Sequence, residues 1–446
     1  KRMKEAAQLP PGTQFYYETP GFIKFTTPAL QQALAMIERS PFTILASGAP
    51  SMPAALANFE IKIGDSVYRL GIGGLHSSEQ RIRHIADALY SLRDVDVVSY
   101  YPKIISILRM FPHQIGEVFL TIYDGWIEVR IEYKDKGQKK KAATFKIKIN
   151  GTFGKTGSKY SILYAPQMMI RTTITGQLSL LMLIEMLTRV DGISVVSANT
   201  DGVVIKCRRD LEPIRDAIVK RWEILTGFTT EANDYMALFS RDVNNYMAVK
   251  PAYTDKKGVF HPIEFKCKGA YADPGLMKNP TNGVCLDAVK AYVTDGVALE
   301  KTIRSCNDIR KFVTVRNVTG GAEWVKDTLS ADTVAQKTAA LLARGWSFEK
   351  SSGWYEPCGS DVPLTADGAI EQIRSEMKRE HLGKAVRWYY GRGQKGHLAY
   401  VSNGNLVPRS EGARPCMELP KVLPPDIDYD WYVREARELL KDINCC

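Results

Sequence analysis

The sequence predicts an α+β fold, and three of its features support this prediction. Short β-rich runs and helical runs follow each other in mixed order along the chain rather than in regular alternation. Of the 446 residues, 45% are apolar and 24% are charged, which is typical of globular proteins and excludes disordered and collagen-like chains. The length is enough for about three domains, each able to bury a core of its own.

The N-terminal part of the chain contains few signals before its first glycine-rich turn. Residues 1–60 mix proline-rich loops with one helical run at residues 30–39. Residues 66–70 predict a strand, and the double glycine of Gly73 and Gly74 after it indicates a tight turn or a close backbone approach. A second strand is predicted over residues 94–101, and we expect Pro102 to end it.

A pair of helices crowded with positive charge is predicted next. Apolar residues near 3.6-residue spacing predict the first helix over residues 114–136, and the second follows over residues 139–153, with Gly137 between them. Residues 173–190 predict an apolar helix. It is too short to span a membrane and contains the polar residues Gln177, Glu185 and Arg189.

A β-hairpin is predicted after the apolar helix. Its two β-rich runs, residues 193–197 and 203–207, flank Asn199-Thr200-Asp201-Gly202, which places an acidic residue at the tip. From residue 285 onward the chain is rich in Arg, Lys, Trp and Tyr, and we expect this region to be mostly helical.

The chain carries a large positive charge. Lys and Arg total 60 against 49 Asp and Glu, which gives a net charge of +11. This excess favours a polyanionic partner, above all nucleic acid and less readily an anionic membrane surface. The alternative is a basic protein without such a partner. The eight cysteines show no zinc or disulfide spacing, which indicates a reducing compartment such as the cytoplasm.

Two acidic residues, Asp96 and Asp201, lie on or at the end of apolar strands. A carboxylate is costly there unless it is paired or binds a metal. If the two strands are neighbours, the carboxylates could hold two magnesium ions about 4 Å apart, the arrangement that phosphoryl and nucleotidyl transfer use. The alternative is structural, because Asn-Thr-Asp-Gly is also an ordinary turn sequence.

The helical pair offers cations that could bind a triphosphate. Arg130 and Lys134 are four residues apart and share a face of the first helix. Lys146 and Asn150 share a face of the second helix in the same way. If both faces line one cleft, the arginine would bind phosphate by its forked geometry and the lysines as point charges. The alternative is a solvated lysine-rich surface, which we expect for residues 139–141.

Four motifs, taken in order, resemble those of family B DNA polymerases, and bacteriophage enzymes are the most similar. Residues 96–102, Asp-Val-Val-Ser-Tyr-Tyr-Pro, resemble the D-x-x-S-L-Y-P motif, and residues 146–154 resemble K-x-x-x-N-S-x-Y-G. Residues 199–202 are similar to D-T-D-S, and Arg130 with Lys134 matches R-x-x-x-K. By motif, the resemblance covers residues 66–270.

The resemblance implies a right-hand polymerase fold with an antiparallel palm sheet, two-helix fingers and a mostly helical thumb. It divides the chain into an N-terminal segment (1–92), a palm in two parts (93–112 and 155–284), fingers (113–154) and a thumb with the C-terminal region (285–446). It also implies that the chain is a DNA-directed DNA polymerase. The partners would be primer-template DNA and deoxynucleoside triphosphates, and the cofactor two Mg²⁺ ions, for which Mn²⁺ could substitute.

The same resemblance assigns roles to individual residues. Those that would hold the metal ions are Asp96 and Asp201, which would be catalytic, and Val97. Those that would bind the nucleotide are Ser99, Tyr100, Tyr101, Arg130, Lys134, Lys146 and Asn150, with Tyr101 under the sugar. Those that would contact DNA are Thr200, Tyr246, Lys266 and Lys268.

The sequence departs from the family pattern at several positions. Asn199 stands where the family has the first Asp of its third motif, which weakens the inference of activity. Gly202 and Gly151 each replace a serine, and the lysine of a K-x-Y element is missing before Tyr246.

No D-x-E exonuclease motif precedes Asp96, so we expect the proofreading domain to be on another chain, cut off from this one, or never present. The intervals between the motifs leave no room for the insertions of protein-primed relatives, which implies an ordinary nucleic-acid primer. The leading hypothesis is a DNA polymerase of bacteriophage replication, in the cytoplasm of a bacterial host. The alternatives are a catalytically weak or inactive DNA-binding relic of the fold and an RNA-templated or RNA-making enzyme.

Overall fold

The computed structural model describes residues 9–57, 59–255, 258–273, 281–326, 336, 339, 347–351, 354–358, 379–393 and 396–445. It divides into two compact units, Lys1–Tyr271 and Ala272–Cys446. Each unit mixes helices with antiparallel strands, which confirms the predicted α+β class.

The N-terminal unit begins with short strands and one amphipathic helix. The first elements are β1 (Gln14–Phe15), α1 (Pro28–Arg39), β2 (Phe42–Ile44), β3 (Pro50–Ser51), α2 (Ala54–Ala57), β4 (Glu60–Ile63), β5 (Ser66–Arg69), β6 (His76–Ser77) and β7 (Gln80–Ile85). Helix α1 starts with a proline, whose missing N–H costs no hydrogen bond at that position. It buries Leu30, Ala33 and Ile37, so the helix predicted over residues 30–39 is confirmed.

The strand that carries Asp96 differs from its prediction. Strand β8 (Tyr90–Val97) is followed by helix α3 (Tyr100–Ile107), so the prediction of a strand through residue 101 is wrong. The chain leaves the strand at Ser99, which has a left-handed φ of +52°. Pro102 does not stop an element. It lies in the first turn of α3, where backbone N–H groups have no partner within the helix.

The predicted helical pair is confirmed as α4 (Val118–Asp135) and α5 (Lys139–Lys155). Gly137 lies between them with a left-handed φ of +68°, which suits the turn. The apolar helix, α6 (Pro166–Thr188), begins earlier than predicted and is buried on nearly all sides. Within the described ranges, no helix combines the length and apolarity needed to cross a bilayer.

The rest of the N-terminal unit builds two larger antiparallel sheets and one two-stranded sheet. Its elements are β9 (Ile193–Asn199), β10 (Gly202–Arg208), α7 (Glu212–Thr226), β11 (Thr230–Tyr235), β12 (Ala237–Asp242), β13 (Asn245–Lys250), β14 (Tyr253–Thr254), β15 (Phe260–His261) and β16 (Glu264–Cys267). A seven-stranded sheet has the order β11-β8-β10-β9-β6-β5-β4, and a four-stranded sheet has the order β16-β13-β12-β7. Strands β9 and β10 form the predicted hairpin, with Asn199 opposite Gly202.

The main hydrophobic core joins α6 to the seven-stranded sheet. Leu178, Leu181 and Ile184 of α6 are fully buried, as are Ile205 of β10 and Ile104 of α3 to within 1%. Each buried aliphatic side chain of this size contributes about 1.5–3 kcal/mol. The strand that carries Asp96 and the hairpin that carries Asp201 therefore pack on a well-buried core.

The C-terminal unit contains a four-stranded antiparallel sheet of order β21-β17-β20-β22. Its described elements are α8 (Gly283–Asp295), α9 (Leu299–Ser305), β17 (Thr314–Val325), β18 (Ser347–Ser351), β19 (Trp354–Cys358), β20 (Arg379–Tyr390), β21 (His397–Tyr400), β22 (Ala413–Pro415) and α10 (Tyr429–Lys441). Among the described residues of this unit, more residues lie in strands than in helices. The prediction of a mostly helical region is therefore wrong for the part of the unit that the structure describes. Aromatic and β-branched residues, which this region contains in number, favour strands.

Candidate active site

Antiparallel pairing of β8 with β10 brings the two predicted carboxylates together. Asp96 lies opposite Gly202, and the backbone N–H of Val97 donates to the carbonyl of Asp201 at 2.7 Å. A Cβ atom at position 202 would collide with Oδ1 of Asp96. The glycine that replaces the family's serine therefore leaves the space that the Asp96 carboxylate occupies.

The hairpin tip that carries Asp201 is held from below by the glycine-rich turn. The N–H of Thr200 donates to the carbonyl of Leu75 at 2.8 Å, and a Cβ at Gly74 would lie 2.7 Å from Cα of Thr200. Thr200 has a left-handed φ of +58°, which is strained for a β-branched residue. The close approach predicted for the double glycine is thus confirmed at Gly74. Gln177 of α6 fixes the same turn through its side-chain amide, which bonds the main chain of Gly71.

The surroundings of both carboxylates make their ionisation unfavourable. Burial, and next the neighbouring Asp94 carboxylate, raise the pKa of Asp96 to about 6. Burial likewise raises the pKa of Asp201, while the Lys266 ammonium opposes the rise. Bringing a cation into this place would offset the cost of ionising both groups.

Lys266 lies against the carboxylates rather than on an outer surface. Its Nζ is 2.6 Å from Oδ2 of Asp94 and 3.2 Å from Oδ2 of Asp96. Tyr235 donates its hydroxyl to the same Asp94 oxygen. Our reading of the sequence missed Asp94. Its signal was an acidic residue two positions before Asp96 in an apolar run, hence on the same face of the strand.

The cations of the helical pair face this sheet. Arg130 of α4 donates to the Ser99 hydroxyl, and Lys134 forms an ion pair with Glu231 of β11. Glu231, a second residue that our reading of the sequence missed, lies opposite Asp96 in the ladder.

The side chains of Lys146 and Asn150, one turn apart on α5, line the same cleft. The predicted common face of α5 is therefore present, and it lines the cleft that contains the carboxylates.

Tyr100 and Tyr101 open helix α3 and are not on opposite faces of a strand, as the predicted strand would have placed them. Tyr100 is buried, and its hydroxyl donates to the carbonyl of Gly176 at 2.6 Å. The ring of Tyr101 packs on Phe153 with centroids 4.9 Å apart. A Cβ at Gly176 would lie 3.2 Å from the Tyr101 ring, so the backbone of α6 backs this ring directly.

Asn199 is committed to a structural contact. Its side-chain N–H donates to the carbonyl of Val243 at 2.8 Å, and its side-chain oxygen accepts from Thr200. An aspartate could not donate the first of these bonds. The departure from the family pattern at this position thus goes with a hydrogen bond that ties the hairpin to the neighbouring loop.

These groups border one cleft of about 830 Å³ in the N-terminal unit. Every residue to which the sequence assigned a role lies on its wall. The set is Asp96, Val97, Ser99, Tyr100, Tyr101, Arg130, Lys134, Lys146, Asn150, Thr200, Asp201, Tyr246, Lys266 and Lys268. The wall also includes Asp94 and Glu231. The structure brings the predicted residues together, and their individual roles stay predictions.

The donor set of the cleft fits a magnesium ion. Mg²⁺ is commonly held by one or two carboxylates with substrate phosphates and water completing its shell, rather than by an all-protein cage. Asp96 and Asp201 provide two such carboxylates, and burial raises the pKa of each, so a divalent cation would stabilise their ionised forms. Across the described residues, no group of three or more His, Cys, Asp or Glu side chains is arranged as a metal site.

Comparisons with known proteins show a weak similarity in fold. The sequence matches no protein-family model and no curated protein sequence. The fold is similar to the family B DNA polymerase from the hyperthermophilic archaeon Pyrobaculum calidifontis, with a TM-score of 0.43 and 14% identity. The alignment covers 93% of this chain and 49% of that chain, so the protein spans about half the length of that polymerase.

Proposed function

We propose that the chain is a template-directed DNA polymerase that adds deoxynucleotides to a primer 3′-hydroxyl. One observation carries the proposal. Two neighbouring carboxylates, Asp96 near the end of β8 and Asp201 at the tip of the β9–β10 hairpin, share a cleft with the cations of a helical pair, Arg130, Lys134 and Lys146. The order of four sequence motifs that resemble those of family B polymerases supports it independently. In this proposal the seven-stranded sheet is the palm, helices α4 and α5 are the fingers, and the C-terminal unit is the thumb.

In the proposed reaction the primer hydroxyl attacks the α-phosphorus in line and pyrophosphate leaves. Asp96 and Asp201, with Val97, would hold two Mg²⁺ ions. When bound, these ions would activate the attacking hydroxyl and neutralise the charge on the leaving pyrophosphate. The protein's own contribution is mainly to position the reactants and to supply fixed charges in a water-poor cleft.

The helical pair would bind the triphosphate. Arg130 can bind two phosphate oxygens through its forked guanidinium, and Lys134 and Lys146 add point charges. Arg130 bonds to Ser99 and Lys134 pairs with Glu231, and these contacts orient both cations toward the cleft. Asn150 would also bind the triphosphate, and the Tyr101 ring would lie under the sugar of the nucleotide.

The other wall of the cleft would bind DNA. Tyr246, Lys268 and Thr200 line it on the side of the four-stranded sheet and the hairpin tip. The net charge of +11 favours a polyanion there. The resemblance to bacteriophage polymerases is the reason to propose a role in phage DNA replication.

A primer-extension assay tests the proposal. We expect Mg²⁺-dependent addition of deoxynucleotides, opposite a DNA template, by the purified chain, with Mn²⁺ as a substitute. Tight binding of primer-template without extension in either metal would favour the DNA-binding relic, which the structural role of Asn199 makes the second candidate. Extension that requires ribonucleotides or an RNA template would instead identify an RNA-making or RNA-templated enzyme.

A further inference from the structure

Asp94 is a buried carboxylate that the proposed reaction does not use. It lies two residues before Asp96 on β8, so both side chains are on the same face of the sheet. Only 4% of Asp94 is exposed. A buried carboxylate is costly unless it is paired and hydrogen-bonded. Asp94 has both kinds of partner, the Lys266 ammonium and the Tyr235 hydroxyl.

Lys266 is shared unequally between two carboxylates. Its Nζ is 2.6 Å from Asp94 and 3.2 Å from Asp96. The Asp96 side chain is 38% exposed toward the cleft, against 5% for the Asp94 side chain. The ammonium therefore pairs mainly with the buried carboxylate and only partly with the one that faces the cleft.

The unequal sharing has an electrostatic consequence. An ammonium in full contact with Asp96 would neutralise the charge of this carboxylate. Asp94, Asp96 and Lys266 together carry one net negative charge. Without the charge of Asp94 this sum becomes zero, and Lys266 has only Asp96 as a carboxylate partner within this group.

We propose that Asp94 is a positioning residue that draws Lys266 away from Asp96, so that Asp96 and Asp201 keep their affinity for a divalent cation. The proposal rests on the proposed function only for the identity of the cation-binding carboxylates. It assigns to Lys266 a place beneath the metal ligands instead of a contact along the DNA. In this proposal Asp94 acts through Lys266 and is not itself a ligand of the divalent cation.

The test measures the binding of Mn²⁺ to the full chain without DNA or nucleotide. The electron paramagnetic resonance signal of free Mn²⁺ reports how much of the metal is bound. We expect Asp94→Asn to weaken binding about tenfold, because Lys266 then neutralises Asp96. The double variant Asp94→Asn with Lys266→Met restores the net charge, and its affinity should return to within about threefold of the wild type. Tyr235→Phe removes a hydrogen bond from Asp94 but no charge, and should leave Mn²⁺ binding within about twofold.

Several outcomes would overturn the proposal. The first is an unchanged Mn²⁺ affinity in Asp94→Asn, and the second is a double variant that binds Mn²⁺ as weakly as this single variant. The third is Mn²⁺ binding that does not change when Asp201 is replaced. The same variants in primer extension provide a second measurement, because Asp94→Asn should raise the Mg²⁺ concentration for half-maximal rate and leave the KM for nucleotide at saturating Mg²⁺ unchanged. A chain that binds Mn²⁺ as described but extends no primer would contradict the proposed polymerase function and would still support the proposed role of Asp94.

Discussion

At the scale of single residues, the Tyr101 ring is held in place by its packed neighbours. Its ring contacts Phe153 and lies against the backbone of α6 at Gly176. A ring packed against such neighbours cannot move away from an added atom without disturbing the core. If the sugar of the nucleotide rests on this ring, a 2′-hydroxyl would have no space.

We therefore predict that Tyr101→Ala admits ribonucleotides far more readily while it keeps much of the deoxynucleotide activity. The measurement is the ratio of kcat/KM for dCTP to that for CTP opposite a template G. Tyr100→Phe is the control. It removes a buried hydrogen bond to Gly176, which should cost roughly 1 kcal/mol of stability and leave the ratio unchanged. A folded, active Tyr101→Ala with the wild-type ratio would remove Tyr101 from sugar selection.

The types of the site residues could be predicted because each motif fixes several of them at once. Spacing within one helix places Lys146 beside Asn150, and a turn sequence places Asp201 at a tip. Asp94 and Glu231 belong to no motif. Their importance depends on which strands lie beside β8 and on which side chains Lys134 and Lys266 contact. A local sequence pattern contains no information on these tertiary contacts.

At the scale of elements, the glycine-rich turn and the hairpin tip are in tight contact. A Cβ at Gly74 would lie 2.7 Å from Cα of Thr200, whereas nothing lies within 4 Å of a Cβ at Gly73. We predict that Gly74→Ala displaces the tip that carries Asp201 and lowers the rate of extension by at least about tenfold, since small displacements of reacting groups are costly. Gly73→Ala should extend primers at nearly the wild-type rate. Equal rates for the two variants would contradict the assigned contact.

The helical pair gives a second prediction at this scale. Lys146→Ala and Arg130→Ala should each raise the apparent KM for nucleotide and lower kcat, because the phosphates gain charge as the reaction proceeds. Primer-template affinity should change little. Lys139→Ala, an exposed lysine at the start of the same helix as Lys146, is the matched control and should match the wild type. A loss of DNA affinity with normal nucleotide dependence would assign these residues to the duplex instead.

Element boundaries were harder to predict than the elements themselves. Proline usually interrupts a strand or a helix, and this made Pro102 look like a stop. The backbone turns instead at Ser99, which allows Pro102 to enter the first turn of α3. In the C-terminal unit, Thr314 pairs with Trp388 across a long stretch of chain. Such pairing follows from tertiary contacts, so local composition did not reveal it.

At the scale of the whole molecule, the excess of positive charge has a measurable consequence. A net charge of +11 predicts DNA binding that releases condensed counterions, so log Kd should rise linearly with log salt concentration. Between 50 and 200 mM salt we expect the affinity for primer-template to fall by at least about tenfold. A nearly salt-independent Kd would show that few phosphates are neutralised, and would contradict a basic cleft as the DNA site.

The central claim is that Asp96 and Asp201 form the reactive centre, and one comparison tests it most directly. The rate of single-nucleotide addition to a bound primer-template is measured for Asp201→Asn and, as control, for the exposed Asp210→Asn on the same stretch of chain. We predict a fall of at least about a thousandfold for Asp201→Asn, with DNA binding as tight as in the wild type or tighter, and no change for Asp210→Asn. An Asp201→Asn rate within about tenfold of the wild type would contradict the assignment of Asp96 and Asp201 as the reactive centre.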